Sequence, residues 1–340
     1  MKKIVLCLIL LLTVLGNITA QSTETSTPSP APEELTFTRK DCLVYGMVPY
    51  ATVYLVVAPQ LFLPYDTSKY ISASLLLAGG IPSVMIDPVP GLIYMGVGAA
   101  GIAGGFLLES TDENLAKTLL AGPLINIGQK TQMWSYYAGY QSARLLTPYG
   151  TYPDNSVFRE ETFLSLAKAP WDPNNLKEIS VWIPLLVISG ATAAIQAITT
   201  KGKRAVWKTG KAYLGQTEVS IPVGILVKLS IALLNYTFTA IGEEALFRGI
   251  GYEEMKTSWK QPWAYLADCT LFASVHVPYE YQSGIEPGQL LFKFSTRFGT
   301  TFFLDWAYDN GGLQTSTASH MWIDVISDMT NYLFTGGEPY

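Results

Sequence analysis

Long apolar runs without a charge set the first constraint on this chain. Leu43 to Tyr65 and Ile179 to Thr200 contain no Asp, Glu, Lys or Arg, and Asp87 alone separates the uncharged runs Tyr70 to Ile86 and Pro88 to Leu108. A helix advances only ~1.5 Å per residue, so roughly 20 mostly apolar residues cross the hydrocarbon core of a bilayer. Composition agrees: over 340 residues, 14% are charged and 49% hydrophobic, and the mean hydropathy is +0.24. The expected fold is all-α, a polytopic membrane helical bundle with the lipid bilayer as its solvent. The expected location is a bacterial inner (cytoplasmic) membrane.

The N-terminus reads as an export signal. Lys2 and Lys3 precede an apolar run from Ile4 to Leu15 and the end Ile18-Thr19-Ala20, which predicts a signal peptide over 1–20 cut after Ala20. An uncleaved anchor is the alternative, because Ile18 stands three residues before the cut where a small residue is usual. Gln21 to Glu34 is rich in Ser, Thr and Pro and shows no apolar periodicity, so 21–42 reads as a flexible linker. Residues 43–178 form an N-terminal membrane region of unassigned role, and 179–340 hold the chemistry. Gly96, Gly98, Gly101, Gly104 and Gly105 fit close helix packing in lipid.

Between Glu109 and Glu178 the apolar pattern weakens, which leaves a further span, interfacial helices or a loop open. Ile179 to Thr200 is followed by Lys201, Lys203, Arg204, Lys208 and Lys211, a loop expected to face the cytoplasm. An exported N-terminus with three spans ahead of Ile179 would put that loop outside. The middle region must therefore add a span, or one early segment must be re-entrant. The net charge of -5 and the short basic cluster argue against a nucleic-acid partner. Cys42 and Cys269 read as separate structural thiols rather than a disulfide framework.

The last third concentrates ionisable residues inside apolar segments, where they are expensive and point to function. In Glu243-Glu244-Ala245-Leu246-Phe247-Arg248, Glu244 and Arg248 are four apart and share a helix face, while Glu243 points about a quarter-turn away. Phe272 and His276 share a face in the next segment, where the ring can wall off the imidazole. His320 and Asp324 share a face in the last, where the carboxylate can accept from one ring nitrogen and set the tautomer. These are the only two histidines in the chain. A carboxylate in a poorly hydrated site can serve as general base on a water, and imidazoles can hold a metal or polarise a carbonyl. Such a set fits peptide hydrolysis.

A serine mechanism through Ser274 ranks lower, because two residues apart on a helix puts Ser274 and His276 on different faces. A zincin arrangement fails, since it needs two histidines four apart on one helix. Any metal would draw ligands from separate helices.

In order and spacing these three motifs resemble those of the CPBP family of intramembrane proteases, also called CAAX-protease and bacteriocin-processing proteins. The family's first motif is two glutamates with an arginine four after the second; its second is a Phe and a His four apart. Its last motif, preceded here by Gly299 and the glycine turn Asn310-Gly311-Gly312, is usually a His followed four later by Asn. Asp324 takes the Asn position, which touches any role needing a neutral amide. The resemblance covers about Ile179 to Phe334 and is strongest from Gly242 to Asp324.

It implies a helical membrane bundle with a polar cavity and a glutamate-dependent endopeptidase acting on a membrane-associated peptide or protein. Glu243 would activate water, and Glu244 and Arg248 would brace the helix and the cavity charge. His276 and His320 would bind the water, the oxyanion or a divalent metal such as zinc, and Asp324 would orient His320. Two readings compete: a non-catalytic scaffold or peptide-immunity protein of the same fold, in which these groups are a structural polar network, and a small-solute transporter, which lacks the expected inverted repeat.

Overall fold

The structure is a computed structural model that describes residues 59–64, 67–68, 71, 88–109, 161, 163–200, 204–215, 217–282 and 284–337. The signal peptide, the linker, Cys42, the apolar runs 43–65 and 70–86 for the most part, and most of 110–162 lie outside the described residues. So do Lys201 and Lys203 of the basic loop.

The described chain is helical, as expected for a helical membrane protein. It comprises α1 (Pro59–Phe62), α2 (Pro88–Glu109), α3 (Phe163–Lys168), α4 (Ile179–Thr200), α5 (Val206–Thr209), α6 (Ile221–Leu246), α7 (Glu253–Ser258), α8 (Gln261–Gln282) and α9 (Pro287–Thr335). Ile179–Ile198 and Ile221–Tyr252 are long and apolar enough to cross a membrane, and only 22% and 11% of their most apolar windows are buried. A soluble core helix would bury that surface; here Leu186, Ile198 and Leu226 face outward, as side chains do when lipid is the solvent.

One departure from an all-helical chain lies in the basic loop. Strands β1 (Ala212–Leu214) and β2 (Thr217–Val219) pair antiparallel, Ala212 opposite Val219 and Leu214 opposite Thr217. Lys211 Nζ reaches Glu218 Oε2 at 3.0 Å on the exposed side, and Tyr213 N–H donates to Gly336 O at the end of α9 (2.7 Å). The segment is too short and too polar for periodicity to reveal a hairpin.

Proline in the first turn starts both α6 and α9, where its missing N–H has no helical partner to lose. Helix α6 runs directly into a π-helical turn, Phe247–Tyr252, which contains Arg248 and is buried throughout. Phe247 N–H there donates to both Glu243 O and Glu244 O. Such widened turns occur mostly as single insertions in α-helices, often at functional sites.

Helix α9 is broken at Gly312, whose φ of 74° and ψ of -165° only glycine adopts without strain. The glycine turn ahead of the last motif is this break, and it divides α9 into an arm carrying Asp305 and an arm carrying His320. Gly336 ends the helix at φ 70°, with its N–H returned to Tyr332 O.

Helix α9 packs against α4, α6 and α8. One apolar cluster joins Ile241, Leu246, Phe247, Ile250 and Tyr252 to Phe272, Tyr308 and Leu313. A second joins Ala232 and Ala240 to Met321, Val325, Met329 and Tyr332. The polar groups of the last third lie between these two layers. Residues upstream of Ile179 also pack on α9: Trp322 Nε1–H donates to Pro170 O (2.8 Å), and Gln314 Nε2–H donates to Glu161 (2.9 Å).

Candidate active site

The Glu244–Arg248 pair, four residues apart across the α to π junction, is the centre of the polar layer. Both side chains are fully buried, and Arg248 Nη1–H donates to Glu244 Oε1 at 3.1 Å. Helical periodicity brings these two together; every further partner comes from another helix. Arg248 Nε–H donates to Asp305 Oδ1 (3.0 Å), and Nη2–H donates to Thr301 O (3.4 Å). Asp268 Oδ2 approaches Nε at 3.7 Å, and the Phe272 ring covers the guanidinium with its centroid 4.9 Å from Cζ. A planar fork with several donors suits this many-sided grip.

His320 closes the centre from the far arm of α9. Its Nδ1 lies 2.6 Å from Glu244 Oε1. That oxygen already accepts from Arg248, so Nδ1–H is the donor. Nε2 therefore faces the other two carboxylates, Asp324 Oδ2 at 3.4 Å and Glu243 Oε2 at 3.7 Å. Glu243 and Asp324 retain 16% and 17% side-chain exposure, against 0% for Glu244. The accessible carboxylates and the buried one thus lie on opposite sides of one imidazole.

His276 joins through Phe272. Its Nδ1–H donates to Phe272 O (2.8 Å), and the Phe272 ring stands 4.9 Å from the His276 ring and 6.0 Å from the His320 ring. The other ring nitrogen of His276 is left for a ligand or water. A small pocket beside it is lined by Glu280, Lys293 and Arg297. Glu280 pairs with Lys293.

All six residues singled out from the sequence, Glu243, Glu244, Arg248, His276, His320 and Asp324, therefore gather in one neighbourhood. Asp324 meets one ring nitrogen of His320, Nε2, as its place one turn along α9 suggests, and the structure adds a second carboxylate that spacing did not show: Glu244 from α6 takes Nδ1. Two members escaped the sequence reading, Asp268 and Asp305; Cys269, read there as a structural thiol, points Sγ–H at Asp305 Oδ2 (3.8 Å). The signal was present, since Asp268 and Asp305 are carboxylates within membrane-length apolar segments, but neither falls in a four-residue motif.

His276 and His320 are the ligands expected for a divalent metal. Among the described residues no group of three or more His, Cys, Asp or Glu converges in a way that could hold a metal ion. Nδ1 of each histidine is committed to a protein acceptor and Glu244 to Arg248, which leaves Nε2 of each ring, flanked at His320 by Glu243 and Asp324, as the nitrogens that would hold a divalent metal. No step below passes through a metal.

Helices with outward apolar surface around a buried Glu–Arg–His centre define a helical membrane protein with the groups of a hydrolase. Residues 225–326 match the family model described as type II CAAX prenyl endopeptidase, Rce1-like, and that segment holds all six site residues together with Asp268 and Asp305. The match coincides with the resemblance carried by the three motifs, and it is to a protease-like family of membrane proteins acting on membrane-associated protein substrates. No curated protein and no solved structure gives a significant match.

Proposed function

We propose that residues 179–340 form an intramembrane endopeptidase that cuts a peptide bond in a membrane-associated peptide or protein, using Glu243 as general base. The observation that carries this reading is the division of labour around His320: Nδ1 is locked to buried Glu244, while Nε2 faces the more accessible Glu243 and Asp324. A gap of 3.7 Å between Glu243 and Nε2 is longer than a hydrogen bond and suits a shared water.

In this reaction Glu243 takes a proton from the water as its oxygen adds to the scissile carbonyl carbon. The resulting tetrahedral oxyanion is stabilised from the histidine side of the cavity. On collapse the C–N bond breaks, and the proton held by Glu243 passes to the departing amine. His276, with Nδ1 donated to Phe272 O, offers Nε2 as a hydrogen-bond acceptor to orient the water. Asp324 flanks the same water beside His320. We further infer a multi-pass protein of a bacterial inner membrane, supported by the outward apolar surfaces of α4 and α6 and by the export-type N-terminus.

The test uses the full chain reconstituted in phosphatidylcholine vesicles and incubated with a prenylated peptide carrying a CAAX-type C-terminus, with cleavage read by mass spectrometry. In parallel, peptide termini are compared between parent cells and cells carrying Glu243→Ala. A cut present with the parent and absent with Glu243→Ala is expected. Absence of any Glu243-dependent cut in both assays, with the protein folded, overturns the reading.

A further inference from the structure

We infer that Asp305 is a positioning residue of this site, acting through Arg248 and Glu244 on the ring of His320; the catalytic consequence rests on the endopeptidase reading above.

The contacts form one continuous chain. Asp305 Oδ1 accepts from Arg248 Nε–H at 3.0 Å, Arg248 Nη1–H donates to Glu244 Oε1 at 3.1 Å, and His320 Nδ1–H donates to the same Oε1 at 2.6 Å. Asp305, Arg248 and Glu244 are each 0% exposed, so the protein itself supplies the partners of each. Both nitrogen donors meet Glu244 at Oε1, with the Ser316 hydroxyl as a further neighbour of the carboxylate, so the direction of Oε1 depends on where Arg248 aims Nη1.

A competitor sits beside Arg248. Asp268 is fully buried, lies within hydrogen-bond reach of the Asp305 carboxyl, and places Oδ2 3.7 Å from the same Nε that Asp305 engages. A guanidinium is a rigid plane, so turning Nε toward Asp268 also swings Nη1 relative to Glu244. Asp305 holds the fork in the orientation that serves Glu244. Without it, Asp268 loses its carboxyl partner and Arg248 turns toward that buried carboxylate, so His320 loses the fixed acceptor that sets which nitrogen faces Glu243.

Position in the fold strengthens the assignment. Asp305 lies on one arm of α9 and His320 on the other, either side of Gly312. The Asp305–Arg248–Glu244–His320 chain therefore ties the two arms to each other through α6. Direct contact with substrate is not required of Asp305, which has no exposed surface.

The test combines kinetics with a readout independent of catalysis. The chain has only two histidines, so a 15N-histidine-labelled sample shows two imidazoles, and the Nδ1–H proton shared with Glu244 is resolvable. Asp305→Ala is expected to shift or broaden the His320 Nδ1–H resonance and leave that of His276 in place. It should lower kcat about 10- to 100-fold, the scale for partners that orient a functional imidazole, with KM unchanged. Asp305→Asn keeps an amide oxygen able to accept from Nε–H and should preserve both resonance and kcat. If Asp305→Ala does not accumulate, Asp305→Ser replaces it, since its hydroxyl is too short to reach Nε.

An unchanged His320 resonance in the Ala or Ser variant overturns the inference. So does a folded Asn variant as impaired as the Ala variant. Should the parent show no peptidase activity, the endopeptidase reading fails on its own while the resonances still decide the role of Asp305.

Discussion

Asp305 and His320 lie about four helical turns apart on α9, yet both reach the same buried Glu244–Arg248 pair, at 3.0 Å and 2.6 Å. On an unbroken helix their Cα atoms would be separated by roughly 22 Å, too far for one ion pair to meet both. The break at Gly312 folds the two arms toward a common point, and the site exists because of it.

Gly312→Ala should therefore damage both fold and activity. At φ 74° and ψ -165° an L side chain is strained, by about 1–3 kcal/mol. Gly299→Ala is the matched control: a Cβ there meets nothing within 4 Å, and the change should stay within about 0.5 kcal/mol. Thermal unfolding in detergent compares the two, and equal stability would show that the break does not depend on glycine.

The two adjacent glutamates should separate by phenotype. Glu243 is partly exposed, and His320 keeps Glu244 and Asp324 when it is removed, so Glu243→Ala should accumulate like the parent while losing cleavage by about 100-fold or more. Removing Glu244 leaves Arg248 and His320 without their shared acceptor, so Glu244→Ala should lose stability, by about 3–5 kcal/mol. Membrane accumulation and turnover measured together check this, and identical phenotypes would count against it.

Lys should not replace Arg248. Three of its nitrogens serve three different acceptors, Asp305, Glu244 and the Thr301 carbonyl, and a single ammonium cannot span them. Arg248→Lys should reduce both yield and activity per folded molecule. Parental values for both would mean the fork geometry is dispensable.

Asp324 should act on the reaction side of His320 and not as its anchor. With Nδ1 already held by Glu244, Asp324→Ala should leave the His320 Nδ1–H resonance in place while lowering turnover about 10-fold, the low end for orienting partners. Asp324→Asn, which keeps an acceptor near Nε2, should retain most activity. A lost Nδ1–H signal in Asp324→Ala would return the anchoring role to Asp324.

Much of this arrangement was readable from spacing. Glu244 with Arg248, Phe272 with His276 and His320 with Asp324 each lie four apart, and the helix itself places such pairs on one face; all three are in contact. The apolar runs set the helical membrane fold for the same reason, since length and lack of charge are properties of a local segment. The turn at Asn310-Gly311-Gly312 was visible as a glycine signal, but not the angle it imposes.

What tertiary structure alone decided is the choice of partners between helices. Glu244 meets His320 across 76 positions and Arg248 meets Asp305 across 57, and no periodicity reaches that far. Asp268 and Asp305 could be seen as costly carboxylates, but not as rivals for one guanidinium. Local geometry repeats every turn and is written in the spacing of residues. Which faces meet, and which of two carboxylates reaches an imidazole first, depends on helix crossing and on the break at Gly312, which are set by packing of the whole chain.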